Sequence, residues 1–402
     1  AGIAQVLLIF MRPLEGITVV CLEQAVAAPF ATRQLADLGA RVIKIERPGA
    51  GDFARGYDST VQGMSSHFVW LNRSKESLTL DLKREEAKLV LGKLLAKADV
   101  FVQNLAPGAV DRLGFGTDEL RKTFPRLIVC NLSGYGSSGP YRDKKAYDLL
   151  IQAEAGLVSI TGTPETPSKV GISIADISCG MYAYSGILTA LLVRAKTGEG
   201  VALETSLFDS LGEWMSYATY YTTYGGTPPP RTGASHATIA PYGPARTGDN
   251  KVVYLGLQNE REWKKFCEVV LKNPQLATDP RFGSNANRVR NRPQLDQAMD
   301  EVFQGLTAAE IIERLETAQI ANARMNTVQE FSEYPQLDAR KRWGTVESPV
   351  GTLKALFPPV TMENVEPVMN AVPALGQHTD AILGELGFDS QKIADWRKAG
   401  VI

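Results

Sequence analysis

Apolar and polar residues alternate along the first half of the chain in a repeating order of strand and helix. Residues 17–22 form a continuous apolar run typical of a buried strand, and residues 29–38 have helical spacing followed by a capping glycine, Gly39. Residues 42–45 form a second apolar run that ends at Glu46. A strand, a helix and a second strand in succession make a βαβ unit, which predicts a parallel sheet and an α/β fold.

The same alternation continues as far as residue 223. The pattern predicts strands over 100–102, 127–132 and 201–205, and helices over 83–97, 117–123, 146–157 and 207–223. Prolines and glycines at 224–230 then indicate a linker. We therefore predict a large domain over 11–223, a linker and smaller domain over 224–325, and a return to the large domain over 326–402.

Composition narrows the classes of function. The 402 residues carry a formal net charge of −1, which argues against a nucleic-acid partner because such proteins usually concentrate basic residues. The four cysteines form no CxxC pair and there are three histidines, so neither a disulfide framework nor a metal site is expected. Residues 1–10 are interpreted as an extension before Met11, too short to span a membrane. No other apolar run is expected to reach the length of a membrane span, so we expect a cytoplasmic protein without a membrane partner.

Asp176 stands at the most informative position of the chain. An alternating apolar run at 170–174 precedes it and the long apolar helical pattern of 182–194 follows, so we expect it at a strand-to-helix junction. A carboxylate exposed there is either a nucleophile or a helix N-cap, a position that aspartate favours. The neighbouring glycines, Gly171 and Gly180, leave room for a bulky ligand to reach the carboxylate.

Residues expected at the ends of the parallel strands favour a phosphorylated ligand over a dinucleotide. The first turn between strand and helix, 23–29, has no glycine, whereas a dinucleotide-binding turn needs glycines so that the backbone can approach the pyrophosphate. Arg47 directly follows the second strand, where a basic residue suits a phosphate. Four more basic residues near element ends either converge on phosphates or are ordinary surface charges: Arg73, Lys75, Arg112 and Lys145.

Several segments, taken together and in order, resemble one enzyme family. They are Leu14-Glu15-Gly16-Ile17 with 36–49, Gly51-Asp52, Asn72-Arg73-Ser74-Lys75, Asn104 with Pro107-Gly108, Arg112-Leu113-Gly114, Ser133-Gly134-Tyr135-Gly136 with Gly139-Pro140, and Leu375-Gly376-Gln377-His378-Thr379. The chain resembles the family III CoA transferases, the formyl-CoA-transferase-like or CaiB/BaiF-like group, from about Leu14 to its end. No segment is specific alone, but the ordered set is.

The resemblance implies an interlocked homodimer in which each subunit has a Rossmann-like large domain and a smaller α+β domain. It implies that Asp176 is the catalytic nucleophile and that coenzyme A is a substrate, with no tightly bound cofactor and no metal. CoA contacts are implied for Arg47, Lys75, Asn104, Arg112, Lys145, Tyr147 and Ala27. Substrate contacts are implied for His236, Arg73 and Gly136, and backbone N–H groups near 134–136 are candidates to stabilise an oxyanion.

Departures from the family pattern bear on the reaction. Formyl-CoA transferases carry glutamine at the position of Val26 and commonly an aromatic residue at Leu105, and 233–238 stands near the place of their glycine-run loop. These departures argue against formate or oxalate as the substrate. The α-methylacyl-CoA racemases share the fold but need a histidine where this chain has Tyr147. Racemisation needs a group that exchanges protons at neutral pH, and tyrosine does this poorly because its ordinary pKa is about 10. Transfer is therefore favoured over racemisation.

The segments 104–108, 144–148 and 161–165 look like those of transferases acting on C4–C5 dicarboxylates, namely succinate, citramalate, itaconate or mesaconate. A second carboxylate requires a cation, for which the candidates are Arg73, Arg231, His236 and Arg246. We expect CoA to move from succinyl-CoA or a similar donor to an acid acceptor through aspartyl anhydride and aspartyl-CoA thioester intermediates. The alternatives are a 2-methylacyl-CoA racemase, intramolecular transfer within mesaconyl-CoA, and a non-catalytic CoA-binding protein.

Overall fold

A six-stranded sheet lies at the centre of the larger of two compact units in the computed structural model, which describes residues 11–402. The expectation for residues 1–10 lies outside the described residues. The strands are β1 Thr18–Leu22, β2 Arg41–Glu46, β3 Lys75–Thr79, β4 Val100–Gln103, β5 Ile128–Ser133, β6 Ala202–Ser206, β7 Tyr242–Arg246, β8 Val252–Gly256, β9 Ala321–Arg324, β10 Trp343–Val346 and β11 Leu353–Leu356.

The helices are α1 Ala27–Asp37, α2 Ser66–Asn72, α3 Glu85–Leu95, α4 Ala109–Arg112, α5 Thr117–Thr123, α6 Asp148–Glu154, α7 Leu157–Ile160, α8 Ile174–Thr197, α9 Leu207–Trp214, α10 Ser216–Gly225, α11 Glu260–Lys265, α12 Asn285–Arg290, α13 Arg292–Phe303, α14 Ala308–Thr317, α15 Val328–Ser332, α16 Pro335–Ala339, α17 Thr379–Glu385 and α18 Ser390–Lys398. Short 3-10 turns at Phe53–Gly56 and Pro274–Thr278 and a π-helical turn at Phe266–Val270 complete the set.

The strand order of the large sheet is β3-β2-β1-β4-β5-β6, and every neighbouring pair is parallel. This arrangement confirms the predicted α/β fold and is the Rossmann-like order. The central strands are continuous apolar runs because helices cover both faces of the sheet, and Val19, Val20, Val100 and Phe101 are fully buried. The strand order reverses between β1 and β4, so the carboxyl ends of these two strands form the natural ligand-binding edge.

Helix α8 begins at Ile174 rather than near residue 182, and residues 170–173 form no strand. The prediction of a strand-to-helix junction was therefore wrong. The apolar alternation before Asp176 belongs to a bend and the first helical turn, and it does not follow burial, since Ile172 is exposed. In the larger unit α8 packs against α1, α6 and α9, so Asp176 is carried by a well-anchored element.

Helix α8 also meets the length and composition of a membrane span, the one such helix among residues 11–402, contrary to our sequence expectation that no run is that long. In the structure it packs within the larger unit. Its last turns bury Arg194, whose guanidinium contacts a carboxylate oxygen of Asp99 at 2.9 Å.

The smaller unit comprises Gly156–Val170 and Met215–Pro335, and the larger unit comprises the residues up to Ala155, Gly171–Trp214 and Gln336–Ile402. The smaller unit contains the antiparallel sheet β7-β8-β9 and its own apolar core, which includes Trp263, Phe266 and Phe303. Its first segment, 156–170, was not included in the small domain drawn from the sequence. The chain re-enters the larger unit immediately before α8.

Candidate active site

Asp176 is the third residue of α8 and follows the helix N-cap, Ser173, whose side chain makes no capping hydrogen bond. The Asp176 side chain is partly exposed, and its carboxylate oxygens accept no hydrogen bond from any residue within 11–402. A carboxylate without donors keeps its lone pairs available to a ligand. The helix-cap interpretation of Asp176 is thus wrong for its side chain.

The N-terminus of α8 is capped instead by Asp148, the first residue of α6. One carboxylate oxygen of Asp148, Oδ1, accepts the backbone N–H groups of Ala175 at 2.7 Å and of Asp176 at 3.1 Å. The other oxygen, Oδ2, accepts the side-chain amide of Gln152 at 2.6 Å. These bonds satisfy two of the N–H groups that a helix start leaves unpaired, and they fix the backbone of the candidate nucleophile.

Asp176 has an unusual affinity for its proton. Burial disfavours the charged form, and the nearby carboxylate of Asp148 disfavours it further, so the pKa of Asp176 rises from its ordinary 3.8 to about 7. Roughly half of the molecules are therefore ionised at neutral pH. An aspartate with its ordinary pKa would be fully ionised at pH 7, and Asp176 departs from that behaviour.

The start of α1 lies against α8 one helical turn beyond Asp176. A Cβ added to Gly180 would lie 2.6 Å from the backbone oxygen of Ala27 and 3.0 Å from the ring of Phe30. Only glycine allows this approach. Because residues 176 and 180 are four apart on one helix, they share a face, so the turn at 23–26 and the start of α1 lie on the Asp176 side of α8.

Two tyrosines belong to the surroundings of Asp176. Burial, together with the negative charges of Asp52 and Asp176 and the neighbouring Tyr147, raises the pKa of Tyr57 above its ordinary value. Tyr57 and Tyr147 are both well exposed, at 49% and 69% of their surface. Their rings are therefore accessible to a ligand that approaches the carboxylate.

Two basic residues predicted as ligand contacts are not available at the surface. The ammonium of Lys75 is fully buried and contacts Glu23 Oε1 at 2.7 Å, the carbonyl of Pro29 at 3.0 Å and Asn72 Oδ1 at 3.1 Å. The guanidinium of Arg73 is also buried and pairs with both oxygens of Asp37 at 2.8 Å. Charges at strand ends usually face solvent, but here each cation pairs with a buried carboxylate, which lies directly after β1 for Lys75 and in α1 for Arg73.

Three other predicted CoA contacts lie in segments that follow the carboxyl ends of β2, β4 and β5. Arg47 is exposed and its guanidinium carbon lies 5.9 Å from the centre of the exposed Phe53 ring. Arg112 is exposed and bonds only the carbonyl of Pro107, at 3.4 Å. Lys145 is exposed as well. These three cations remain candidates for phosphate contacts because no carboxylate within residues 11–402 pairs with them.

Asn104, directly after β4, joins the two sides of the point where the strand order reverses. Its Oδ1 accepts the N–H of Gln24 at 2.8 Å, and its amide donates to the carbonyl of Gln24 at 2.9 Å. Asn104 therefore fixes the first turn, next to the buried Ala27, and its amide group is already occupied.

The glycine- and serine-rich loop after β5 does not offer every N–H group that we expected. Gly136 has φ of +92°, and its N–H donates to Ser133 Oγ at 2.9 Å. That donor is engaged, so Gly136 is not a free oxyanion donor in this structure. A Cβ on Gly134 would lie 2.3 Å from the Cβ of Ala146, so this glycine is required by packing.

The candidate cations of the smaller unit have distinct roles. Arg231 donates to the carbonyls of Ser159, Thr163 and Pro164 at 2.8–2.9 Å, so its guanidinium is hydrogen-bonded to the loop at 159–164. His236 stacks on Tyr242 with ring centres 5.2 Å apart, and its Nδ1 accepts the N–H of Thr238 at 3.2 Å. Its Nε2 then carries the proton in the neutral form. Arg246 is exposed.

Within residues 11–402, no group of three or more histidine, cysteine or acidic side chains is placed to hold a metal ion. All four cysteines are buried and unpaired.

Residues 14–379 match the sequence model of CoA-transferase family III. The chain belongs to that family. This family III chain is 37% identical over 330 residues to the acetyl-CoA:oxalate CoA-transferase of Acetobacter aceti, covering 82% of this chain and 84% of that protein. It is 32% identical over 398 residues to the succinyl-CoA:glutarate CoA-transferase of Homo sapiens, covering 98% and 90% of the two chains.

The fold agrees with the family assignment. The crystal structure of a CAIB/BAIF family protein from Brucella suis superposes with a TM-score of 0.81 and 32% identity, covering 93% of this family III chain and 99% of the other. The resemblance inferred from sequence is confirmed, and so is the enzyme class of CoA transferase.

Three site residues escaped sequence reasoning: Asp148, Tyr57 and Asp52. Asp148 is separated from Ala175 by 27 positions, so its capping bond has no local signal. A usable sign was its place directly after Tyr147, at the start of a predicted helix, where aspartate is favoured.

Proposed function

We propose that this chain transfers CoA from an acyl-CoA donor to a dicarboxylic acid acceptor, with Asp176 as the nucleophile. The observation that carries the proposal is the Asp176 carboxylate itself, which is accessible, free of hydrogen-bond donors and held at the start of α8 by Asp148. A nucleophile of this kind needs no histidine base, because its ionised form attacks directly.

The proposed reaction has four steps that conserve protons. An oxygen of ionised Asp176 attacks the thioester carbonyl carbon of the donor, and the carbon–sulfur bond breaks to give an aspartyl anhydride and CoA thiolate. The thiolate attacks the aspartyl carbonyl carbon, forming aspartyl-CoA thioester and releasing the donor acid as a carboxylate. The acceptor carboxylate attacks this thioester and expels the thiolate, giving a second anhydride. The thiolate finally attacks the acceptor acyl carbon and regenerates Asp176.

Residues of the larger unit have separate parts in this scheme. Asp148 positions Asp176 and raises its pKa, which makes the ionised carboxylate a stronger nucleophile at the expense of its population at neutral pH. The exposed Arg47, Arg112 and Lys145 are assigned to the CoA phosphates. Binding of the distant nucleotide then offsets the cost of forming an anhydride.

We propose C4–C5 dicarboxylates as the substrate class, with succinyl-CoA as donor and glutarate, citramalate, itaconate or mesaconate as acceptor. The Homo sapiens relative is named for succinyl-CoA and glutarate, which supports this class. The Acetobacter aceti relative is named for oxalate, so the sequence argument against oxalate is weakened and oxalate belongs in the tested set. For the second carboxylate we retain His236 and Arg246, because Arg73 and Arg231 are held by other partners.

The decisive experiment mixes the protein with succinyl-CoA and each acid separately and measures every acyl-CoA by mass spectrometry. We expect new acyl-CoA with at least one dicarboxylate and none with the Asp176→Asn variant. Hydroxylamine should form a hydroxamate at Asp176 only when acyl-CoA is present. Mesaconyl-CoA incubated without acid reports intramolecular transfer. Absence of exchange with every donor and acid would refute the proposal.

A second function has one observation in its favour. A pKa of about 7 also suits Asp176 as a general base that removes the proton next to a thioester carbonyl, as in a 2-methylacyl-CoA racemase. Racemisation needs an acid on the opposite face, and the tyrosines near Asp176 are poor candidates, since the pKa of Tyr57 is raised. Deuterium uptake from heavy water by 2-methylacyl-CoA, without added acid, would favour this function.

We also propose that the enzyme is an interlocked homodimer. Support comes from apolar side chains of α8 that stay exposed in the single chain: Met181, Tyr182, Leu192 and Val193. Apolar side chains grouped on one helix are typical of a surface that a partner covers. Sedimentation at micromolar concentration should give twice the mass of one chain, and a monomer would contradict the proposal.

A further inference from the structure

A group of four buried charges lies behind the first turn between strand and helix. It consists of Glu23, Lys44, Asp52 and Lys75, all at most 2% exposed, and we call it the buried charge cluster. Lys44 Nζ contacts Asp52 Oδ2 at 2.7 Å and Glu23 Oε1 at 3.2 Å, and Lys75 Nζ contacts the same Glu23 oxygen at 2.7 Å. The negative charges of the two carboxylates equal the positive charges of the two ammonium groups.

The lysines of the cluster hold the carboxyl group of Glu23 in its ionised form. Burial alone would raise the pKa of Glu23, but the adjacent ammonium groups of Lys44 and Lys75 lower it to about 2. Glu23 therefore stays ionised through the neutral range, and its carboxylate is committed to the two ammonium groups rather than to the reaction. Such a costly arrangement of buried charges therefore requires a different explanation, and its contacts to the backbone provide one.

The remaining oxygen of Asp52, Oδ1, reaches the backbone of the turn. It accepts the N–H of Ala25 at 2.9 Å and the N–H of Ala54 at 2.9 Å. Ala25 has φ of +63°, a left-handed conformation that residues other than glycine rarely adopt and that costs about 1 kcal/mol or more. The hydrogen bond from Ala25 to Asp52 holds the chain in this conformation.

The conformation of Ala25 sets the direction in which the chain enters α1. Two residues further on, the carbonyl oxygen of Ala27 makes the close approach to Gly180, which shares a helix face with Asp176. The charges of both Asp52 and Asp176 contribute to the raised pKa of Tyr57, so both carboxylates lie near this one tyrosine. Asp52, Ala25, Ala27 and Gly180 thus form a connected path from the buried charge cluster to the nucleophile's helix.

We propose that Asp52 is a positioning residue of the active site: held by Lys44, it keeps Ala25 left-handed and so fixes the turn that leads into the start of α1, which packs against the helix of Asp176. Asp52 touches no substrate in this scheme and acts only through the turn. The inference rests on the proposed function for its kinetic test alone, because the conformation of Ala25 can be measured without any reaction.

Two double variants isolate the hydrogen bond from the charge. Lys44→Met with Asp52→Asn removes both charges of one pair but keeps an oxygen that accepts from Ala25. Lys44→Met with Asp52→Ala removes the same charges and also the acceptor. Because both variants lose the same ion pair, a difference between them reports the bond to the turn.

We expect the alanine version to have kcat for CoA transfer lower than the asparagine version by about tenfold to a hundredfold, the loss typical of a misplaced catalytic group. The KM for acyl-CoA should agree within about twofold, since the phosphate contacts proposed above lie outside the turn. The alanine version should have the lower thermal midpoint, because the N–H groups of Ala25 and Ala54 lose their acceptor. The kinetic comparison is therefore made well below both midpoints, where circular dichroism shows that both variants are folded. Equal kcat values would overturn the inference.

Amide hydrogen exchange supplies a reading that needs neither activity nor a folded variant. In the wild-type protein, the N–H of Ala25 should be protected as strongly as the amides of β1, because its acceptor is buried. Exchange at the rate of an exposed turn would overturn the inference even if the alanine version fails to fold. If the wild type shows no CoA transfer, the proposed function fails, and exchange at Ala25 still decides the role of Asp52.

Discussion

Replacing Asp176 by asparagine should stabilise the protein, and the gain should grow with pH. The folded chain raises the pKa of this carboxyl from 3.8 to about 7, so folding disfavours its ionisation. Below about pH 4 the group is protonated in both folded and unfolded chains and has no effect. Stability is lost as the pH rises from there to about 7, and it stays lost above that value. The asparagine variant has no such loss.

The shift from 3.8 to about 7 corresponds to roughly 4 kcal/mol at pH 8, at 1.36 kcal/mol for each pKa unit. This is an upper value because the side chain is partly exposed to screening solvent. About 1.5 kcal/mol of it is already present at pH 5, so the variant's advantage should increase by about 2.5 kcal/mol between pH 5 and pH 8.

The assay is urea unfolding of wild type and Asp176→Asn at pH 5 and pH 8, at one protein concentration so that any association affects both equally. Glu165→Gln, an acid-to-amide change at an exposed position, is the matched control and should show no comparable increase. An Asp176→Asn advantage that is the same at both pH values, or that shrinks at pH 8, would refute the argument that burial and Asp148 hold this carboxyl protonated.

Three further predictions concern the same helix and its ligand. In Asp148→Asn, the amide oxygen still accepts from the α8 N–H groups, but the negative charge is lost, so the pKa of Asp176 should fall. The rising limb of kcat/KM plotted against pH should then move to lower pH. An unmoved limb would contradict the electrostatic role of Asp148. Gly180→Ala should lower the free energy of unfolding, measured with urea, by about 1–3 kcal/mol, because the added Cβ would meet the backbone oxygen of Ala27. An unchanged unfolding midpoint would mean that α1 and α8 separate readily. Arg112→Ala should raise the KM for acyl-CoA about tenfold with little change in kcat, and steady-state kinetics with a change only in kcat would remove Arg112 from the CoA site.

The large parallel sheet was predictable because its signal is local. Buried central strands are continuous apolar runs, so β1, β2 and β5 appeared within a residue or two of their observed bounds. Helix α5 was predicted at its observed limits, Thr117–Thr123. The start of α8 was missed because an alternating apolar pattern over a few residues fits either a strand or the first turn of a helix, and only packing distinguishes them.

The charged residues were harder to predict because their partners are distant in sequence. Arg73 bonds Asp37 across 36 positions and Lys75 bonds Glu23 across 52, so neither side chain shows locally that it is buried. Family resemblance predicted Asp176 as the nucleophile without describing its surroundings. The cap from Asp148 and the rise of the Asp176 pKa required the folded arrangement of α6 and α8.

The buried charge cluster has a consequence for how the enzyme is made. All four of its residues lie between positions 23 and 75, whereas Asp176 follows about a hundred residues later. Chains fold from the N-terminus during synthesis, so β1, β2 and β3 can assemble and set the turn at Ala25 while α8 is still within or behind the ribosome. Helix α8 then packs against a turn that is already formed. A substitution that removes one of these four charges would therefore act on the growing chain before α8 is made, and would lower the yield of folded protein as well as its stability.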